Sequence, residues 1–247
     1  MLAVAAFELW KRFDHKVAVA GLSLQVPHGS FFGLVGPNGA GKTTTIRMLV
    51  GLLRPDAGSA VVDGIPVWPD PRAAKAVLGV LPDDLRLFER LSGAELLTYL
   101  GLMRGMDRQV VDQRRDELLG VLGLADDAAV LVADYSTGMR KKVALAAALL
   151  HGPRVVFLDE PFESVDPVSA RAITDVLQRF RSRGGTVVFS SHVMDTVERL
   201  CDHVAIVDAG RIVRGGTLAE LCAGRRLEDV FIEAVGGRSA GAGLEWL

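Results

Sequence analysis

The sequence has little of several residue types, and each shortage excludes a class of protein. Only two of its 247 residues are cysteine, which gives no disulfide framework. Aromatic residues make up 6% of the chain, and 28 basic residues stand against 30 acidic ones. This near-neutral balance argues against broad, non-specific binding to nucleic acid. Hydrophobic residues nevertheless reach 49%, so the chain can bury a sizeable core and does not have the composition of a disordered protein.

The sequence also lacks a plausible membrane helix. Residues 17–41 contain no Asp, Glu, Lys or Arg and are numerous enough to span a bilayer. Glycines and prolines interrupt this stretch, whereas a spanning helix must satisfy its own backbone. The apolar start, Met1–Phe7, lacks the basic residues that begin a signal peptide and soon meets Glu8 and Lys11. We therefore expect a cytoplasmic chain.

Apolar periodicity predicts strands at the start of the chain and helices in its middle. The expected strands are 4–10, 16–19, 22–26, 30–35 and a pair within 58–65. One helix is expected at about 42–53. From about Ser92 to Leu150 the pattern is helical, with breaks at Gly101–Asp107 and Gly120–Asp127.

After Gly152, strands and helices alternate. The apolar runs that predict strands are 155–158, 186–189, 204–207 and 211–213. Asp166-Pro167 begins one helix, and a capping box of Thr217 with Glu220 begins what we expect to be the final helix. The order predicts an α/β domain at 1–235, with a mostly parallel sheet, an N-terminal antiparallel β subdomain and a helical subdomain inserted at about 84–150. A flexible C-terminal tail is expected at 236–247.

One glycine-rich segment carries the clearest chemical signal. It fits G-x-x-x-x-G-K-[ST] and lies between a predicted strand and a predicted helix, the context that the motif requires. Its glycines let the backbone fold around phosphates, which successive N–H groups then hold. Lys42 would reach the β- and γ-phosphates and Thr43 would ligate Mg²⁺. The predicted nucleotide-binding residues here are Gly36, Pro37, Asn38, Gly39, Ala40, Gly41, Lys42, Thr43 and Thr44.

A second segment supplies two carboxylates. The apolar run Val155–Leu158 ends at Asp159 and Glu160. A strand end can deliver Asp159 to Mg²⁺ at the edge of a sheet, and Glu160 could polarise an attacking water.

Other classes of phosphate-loop protein fit the sequence less well than an ATPase does. Asn38 is the only asparagine, which excludes the N-K-x-D loop of GTPases, and small-molecule kinases usually place the glycine loop nearer the N-terminus.

A third segment gives the chain a family resemblance. Residues 135–142, Tyr-Ser-Thr-Gly-Met-Arg-Lys-Lys, resemble the signature L-S-G-G-Q of ATP-binding-cassette (ABC) transporter ATPases and precede the Asp159 strand in that family's order. The resemblance covers nearly the whole chain and implies a P-loop NTPase core. A serine and a glycine at a helix start also form an anion site. The basic residues 140–142 are expected to be a solvated helix start, because no basic stripe continues from them.

The resemblance implies that two domains share each nucleotide. They would pair head to tail, so that Ser136 and Gly138 of one domain close over ATP held by Lys42 of the other. Asp166 would run along the seam between them.

The resemblance also implies roles for two residues outside these segments. His192, at the end of a predicted strand, would contact the γ-phosphate, and Phe13 would stack on adenine. The predicted catalytic residues are therefore Glu160, His192 and Lys42.

Three positions depart from the family pattern. Asp83 stands where the family usually has a glutamine that touches both Mg²⁺ and the membrane subunit; it can still ligate Mg²⁺, but it is shorter and adds a negative charge. Thr137 replaces the signature's first glycine, and Met139 replaces its glutamine. The predicted metal ligands are Thr43, Asp159 and Asp83.

Together these observations predict an ATPase that binds ATP and Mg²⁺, forms a head-to-tail homodimer and drives an integral membrane permease, without a nucleic-acid partner. The Tyr-Ser-x-Gly-Met-Arg and Glu-Pro-Phe-Glu stretches resemble exporter ATPases, so we expect export, with the chain peripheral on the cytoplasmic face of the cell membrane. Two alternatives stay open: a soluble ABC-type ATPase acting on nucleic acid or ribosomes, and a non-hydrolysing, ATP-sensing cassette.

Overall fold

The computed structural model describes residues 1–236 and has the expected α/β fold, in which strands and helices alternate over much of the chain. The strands are β1 (Leu2–Phe13), β2 (Lys16–Pro27), β3 (Phe31–Val35), β4 (Ala57–Val62), β5 (Ile65–Pro66), β6 (Leu78–Leu81), β7 (Val155–Asp159), β8 (Thr186–Ser191), β9 (His203–Asp208) and β10 (Arg211–Thr217). The helices are α1 (Lys42–Leu49), α2 (Arg72–Val77), α3 (Gly93–Met103), α4 (Arg108–Val121), α5 (Thr137–Leu149), α6 (Pro167–Ser182), α7 (Met194–Leu200), α8 (Leu218–Cys222) and α9 (Leu227–Val235). The tail expected at 236–247 lies outside the described residues except for Gly236.

A six-stranded sheet brings the predicted site segments to one edge. Its order is β10-β9-β3-β8-β7-β6, and every neighbouring pair is parallel except β10 with β9. Strand β8 lies between β3, which precedes the glycine-rich loop, and β7, which ends at Asp159. Because parallel strands present their carboxyl ends at the same edge, the loops after β3, β6, β7 and β8 meet there. The expectation of a mostly parallel sheet is confirmed.

A second sheet, of order β2-β1-β4-β5, is antiparallel. It includes β4 and β5, which follow α1 in the chain, as well as the two N-terminal strands. The segments predicted at 16–19 and 22–26 form one strand, β2, that pairs with β1 through several register shifts. Gly21, at φ +75° within β2, accommodates this irregularity, which explains why the apolar pattern suggested a break there.

The larger sheet is buried on both faces. Successive residues of a strand point to opposite sides, so Phe31 faces one core and Phe32 the other. One core packs helices α3–α7 and α9 against the sheet, and the other packs α1 and the antiparallel sheet against it. This double burial explains why β7 reads as a continuous apolar run.

Helix α5 packs both on the larger sheet and on the other helices that lie between residues 84 and 150. The helices expected between about 84 and 150 are α3, α4 and α5, and α5 packs directly on β6. A Cβ atom at Gly79 of β6 would lie 2.1 Å from the carbonyl oxygen of Ala148. The C-terminal turn of α5 therefore packs closely against β6.

Two other findings concern the helices. The expectation that the capped helix at Thr217 is the last one is wrong, because α9 follows it and buries Leu227 and Val230. The capping box itself is present: Thr217 and Glu220 exchange the expected hydrogen bonds. None of the helices among residues 1–236 has both the length and the apolarity that a bilayer-spanning helix needs.

Candidate functional site

Neighbouring strands shape the glycine-rich loop between β3 and α1. A Cβ atom at Gly36 would lie 2.3 Å from the carbonyl oxygen of Val207 in β9. At Gly41, where φ is +108°, a Cβ atom would lie 2.5 Å from the carbonyl oxygen of Ala18 in β2. Both positions need glycine because backbone approaches too closely for a side chain. The two sheets thus hold the loop in a preformed curve.

Lys42, the first residue of α1, lies inside this curve. Its side chain is only 7% exposed. The ammonium group donates to the carbonyl oxygens of Gly36 and Pro37 at 2.7 and 3.3 Å, and lies 3.8 Å from Oε1 of Glu160. The loop therefore holds a cation at its centre, next to backbone N–H groups at the start of a helix, which is an arrangement that binds phosphate.

A cavity of about 500 Å³ opens above the loop. It is lined by Phe13, Lys16, Ala18, Asn38, Gly39, Ala40, Gly41, Lys42, Thr43, Thr44, Asp83, Glu160, Glu163 and His192. The structure thus brings together predicted residues from the ends of β1, β3, β6, β7 and β8. Lys16, at the start of β2, is a lining residue that the sequence did not indicate. Among the described residues, the lining includes neither Ser136 nor Gly138.

Asp159, at the end of β7, is held by the neighbouring strand. It pairs in register with Ser190 of β8, whose hydroxyl donates to Asp159 Oδ1 at 2.5 Å. Asp159 is 3% exposed and Ser190 is fully buried. The same hydroxyl accepts a hydrogen bond from the Glu160 N–H at 3.0 Å. Ser190 therefore orients both acidic residues, a role that its local sequence does not indicate.

Glu160 stands between two groups that can carry positive charge. Its Oε1 lies 3.8 Å from Lys42 Nζ, and its Oε2 lies 3.1 Å from Nδ1 of His192. Its backbone is left-handed, with φ at +47°, and is held from both sides: Ser190 accepts from its N–H, and Lys141 Nζ donates to its carbonyl oxygen at 2.8 Å. The carboxylate is therefore directed into the cavity by a backbone conformation that its neighbours maintain.

Phe13 and His192 occupy the open parts of the site. Phe13 ends β1, is 47% exposed, and has Lys11 Nζ 5.7 Å from its ring centre. Such an exposed aromatic ring at the cavity mouth can stack on a flat ligand. His192 follows β8 and has a side chain that is 43% exposed, so it is accessible from the cavity while it contacts Glu160.

The segment that resembles the ABC signature lies elsewhere in the chain. Ser136 caps α5 by accepting from the Met139 N–H at 3.3 Å. A Cβ atom at Gly138 would lie 2.7 Å from both Asp166 Oδ2 and Ser169 Oγ at the start of α6. Gly138 therefore permits the close approach of two helix starts, in addition to any contact with a ligand.

The expectation that residues 140–142 form a solvated helix start is wrong for two of them. Lys141 and Lys142 are 5% and 8% exposed. Because α5 packs against β6 and against helices α3, α4 and α6, it has little exposed circumference. The two lysines extend along it until their ammonium groups reach backbone carbonyls, those of Glu160 and Gly123.

Burial lowers the pKa of Lys141, and nearby carboxylates oppose this effect. Asp83 is the strongest of them, followed by Glu163, Asp159 and Glu160. The acidic residue Asp83, which stands in place of the family's glutamine, therefore favours the charged form of a buried cation, Lys141.

At the start of α6, hydrogen bonds from Ser169 lower the pKa of the Asp166 carboxyl group.

The oxygen ligands present fit a magnesium ion bound together with a nucleotide. Mg²⁺ in such sites takes one or two carboxylates, while phosphates and waters complete its octahedron. Asp159 directs a buried carboxylate to the sheet edge, and Thr43 and Asp83 line the cavity. Residues 1–236 contain no group of three or more His, Cys, Asp and Glu side chains that could hold a metal by themselves. This donor set therefore suits a metal that arrives with phosphates.

A phosphate-binding glycine loop, a buried lysine and acidic residues at the end of a parallel strand define a P-loop nucleotide-binding domain. Comparison with known proteins gives the family. The family model described as ABC transporter matches residues 19–163, which is more than half of the chain. The chain belongs to the ABC transporter family, as one of its ATP-binding proteins, and the general activity of these proteins is ATP hydrolysis coupled to transport.

Individual relatives of this chain are similar to it over most of its length. The linearmycin resistance ATP-binding protein LnrL of Bacillus subtilis (strain 168) is 36% identical over 86% of this chain and 68% of that protein. The daunorubicin resistance ATP-binding protein DrrA3 of Streptomyces coeruleorubidus is 39% identical over 91% of this chain and 72% of that protein. A solved ATP-binding subunit of an ABC transporter superposes with a TM-score of 0.87 at 27% identity, covering 95% of this chain and 99% of its own.

Proposed function

We propose that this chain hydrolyses ATP to power export through a separate membrane-spanning subunit. The observation that carries the proposal is the position of Glu160. Its carboxylate lies between Lys42 and His192 at the cavity over the phosphate loop. This is where a base could align a water against a terminal phosphate that Lys42 holds.

The other predicted residues take roles that fit their places in the cavity or, for Asp159, Gly36 and Pro37, beside residues that line it. The loop from Gly36 to Thr44 cradles the triphosphate, and Phe13 stacks on adenine. Thr43, Asp159 and Asp83 would hold Mg²⁺, which would supply positive charge to neutralise the phosphates. His192 keeps Glu160 oriented and reaches the γ-phosphate. Catalysis then comes from positioning and charge stabilisation, with little covalent chemistry for the protein itself.

A second copy of the chain completes the site in this proposal. Ser136 and Gly138 do not line the cavity of their own chain. A capped helix start such as that of α5 is an anion-binding element, so it would serve the nucleotide of a partner. A head-to-tail homodimer would complete two nucleotide sites at once, because each copy contributes its phosphate loop to one site and its α5 helix start to the other.

An exposed apolar patch supports a membrane partner. Phe88 and Tyr99 are 53% and 43% exposed, and their rings meet edge to face at 5.3 Å. Leu102 and Met103 continue the exposed apolar surface along α3. Phe88 belongs to the same loop as Asp83, so a permease helix seated on this patch would adjoin the nucleotide cavity. The names of LnrL and DrrA3, which refer to linearmycin and daunorubicin resistance, support export as the direction of transport.

The decisive variant is Glu160→Gln, which keeps the shape of the side chain and removes the base. We expect it to lower kcat for phosphate release by at least 100-fold, to retain ATP binding, and to shift the chain to an ATP-bound dimer in size-exclusion chromatography. Glu117→Gln, on the outer surface of α4, is the matched control and should behave as the parent. Undiminished turnover of Glu160→Gln, or its failure to dimerise with ATP, would contradict the assignment.

The parent chain separates the alternatives. Phosphate release with Mg²⁺ argues against a non-hydrolysing, ATP-sensing cassette. Co-purification with an integral membrane protein, and with neither nucleic acid nor ribosomes, argues against a soluble ABC-type ATPase.

A further inference from the structure

Helix α5 carries two buried lysines whose ammonium groups donate hydrogen bonds to different parts of the chain. Both ammonium groups donate to a backbone carbonyl nineteen residues away in sequence. Lys141 reaches the carbonyl oxygen of Glu160 at 2.8 Å, whereas Lys142 reaches that of Gly123 at 3.4 Å. Of the two, Lys141 alone touches the residue that the proposed function makes the base.

The backbone at Glu160 depends on contacts of this kind. A left-handed φ of +47° is unfavourable for a residue with a side chain and persists only where the surroundings hold it. Ser190 holds the N–H side and Lys141 holds the carbonyl side. An ionised donor makes a stronger hydrogen bond to a carbonyl than a neutral one does. Loss of Lys141 would therefore remove the charged donor to the Glu160 carbonyl and leave it with the longer, neutral hydrogen bond from the Glu163 N–H at 3.3 Å.

Lys141 also connects this anchor to the start of α5. Gly138 and Lys141 are three residues apart and so lie on one face of the helix. Gly138 lies against Asp166 and Ser169, while Lys141 bonds to Glu160. This face is thus fastened at two points to the segment that follows β7.

We propose that Lys141 is a positioning residue for hydrolysis: it holds the Glu160 backbone on helix α5 and thereby sets where the Glu160 carboxylate lies between Lys42 and His192. The inference rests on the proposed function. Lys141 does not line the nucleotide cavity, so its effect should fall on the rate of hydrolysis and leave nucleotide binding intact.

The test compares Lys141→Met with Lys142→Met in steady-state ATPase assays. Both variants remove a buried ammonium from α5, so a merely structural role predicts similar effects. We expect Lys141→Met to lower kcat by 10- to 100-fold, as for other small misplacements of a reacting group, with KM for ATP within about threefold of the parent. Lys142→Met should keep kcat within about twofold. Lys141→Arg, which retains a charged donor of similar length, should recover most of the lost rate.

Two further measurements keep the test decisive. If Lys141→Met does not fold, Lys141→Gln replaces it, since its shorter amide cannot reach the same carbonyl and should also lower kcat. In the Glu160→Gln background, Lys141→Met should slow the residual turnover no further, because Lys141 acts only through Glu160. Additive losses there, or equal kcat values for Lys141→Met and Lys142→Met in an active parent, overturn this inference alone. A parent that hydrolyses no ATP overturns the proposed function as well.

Discussion

Ser190 supports the acidic residues from a neighbouring strand, and Ser190→Ala tests how much they depend on it. The fully buried hydroxyl donates to Asp159 Oδ1 at 2.5 Å and accepts from the Glu160 N–H at 3.0 Å. A hydrogen bond to a charged group contributes about 1.5–3 kcal/mol, and one between neutral groups contributes about 1 kcal/mol. We therefore expect Ser190→Ala to lower the free energy of unfolding by about 2.5–4 kcal/mol.

The same substitution should raise the Mg²⁺ concentration that ATP hydrolysis requires. Asp159 would keep its carboxylate but lose the group that orients it, and partners of this kind contribute about 10- to 100-fold to metal affinity or activity. We expect the Mg²⁺ concentration for half-maximal ATPase rate to rise by about that factor. Urea denaturation followed by circular dichroism measures the stability, and phosphate release over a Mg²⁺ series measures the metal dependence.

The adjacent serine is the matched control. Ser191 is 4% exposed, and its hydroxyl accepts one hydrogen bond, from the Val193 N–H at 3.0 Å. Ser191→Ala should cost about 1 kcal/mol and leave the Mg²⁺ dependence unchanged. If Ser190→Ala loses no more stability than Ser191→Ala and needs no more Mg²⁺, then Ser190 does not orient Asp159 in the way the geometry implies.

Two other predictions concern stability and the loop. Burial, followed by the charge of Arg104, lowers the pKa of His151 to about 4 from 6.5. The unfolded chain therefore binds this proton more readily, so the free energy of unfolding should fall by about 1–2 kcal/mol between pH 6.5 and 4, after allowance for the partial exposure of His151. His151→Gln should remove this part of the loss, as measured by urea denaturation at the two pH values. Gly36→Ala would place a Cβ atom 2.3 Å from the Val207 carbonyl oxygen, so it should weaken binding of a fluorescent ATP analogue by more than about tenfold and destabilise the fold by about 1–3 kcal/mol. The control is Gly120→Ala in α4, whose added Cβ atom meets nothing within 4 Å and should raise the free energy of unfolding by about 0.5–1 kcal/mol. If Gly36→Ala binds the analogue as tightly as the parent does, the loop geometry is contradicted.

Local patterns predicted much of the fold because they report on the immediate chain. Continuous apolar runs marked strands buried on both faces, as in β7. Asp166 and Thr217 marked helix starts, and both side chains accept the expected backbone hydrogen bonds. Helix α9, the last one among residues 1–236, was not predicted although Leu227 and Val230 have helical spacing, because the capping box at Thr217 is also a typical start for a final helix.

The sequence by itself determined the chemistry of the phosphate loop, since its glycines, Lys42 and Thr43 are contiguous and act through the backbone that they belong to. Only the tertiary structure decided which residues support Asp159 and Glu160. Strand order places β8 beside β7, so Ser190 meets Asp159 across 31 residues of chain, and the packing of α5 on β6 turns Lys141 from an apparent surface residue into a buried donor. Such contacts depend on which elements become neighbours, and neighbours in a parallel sheet are joined by long crossovers that carry no pairing signal in the local sequence.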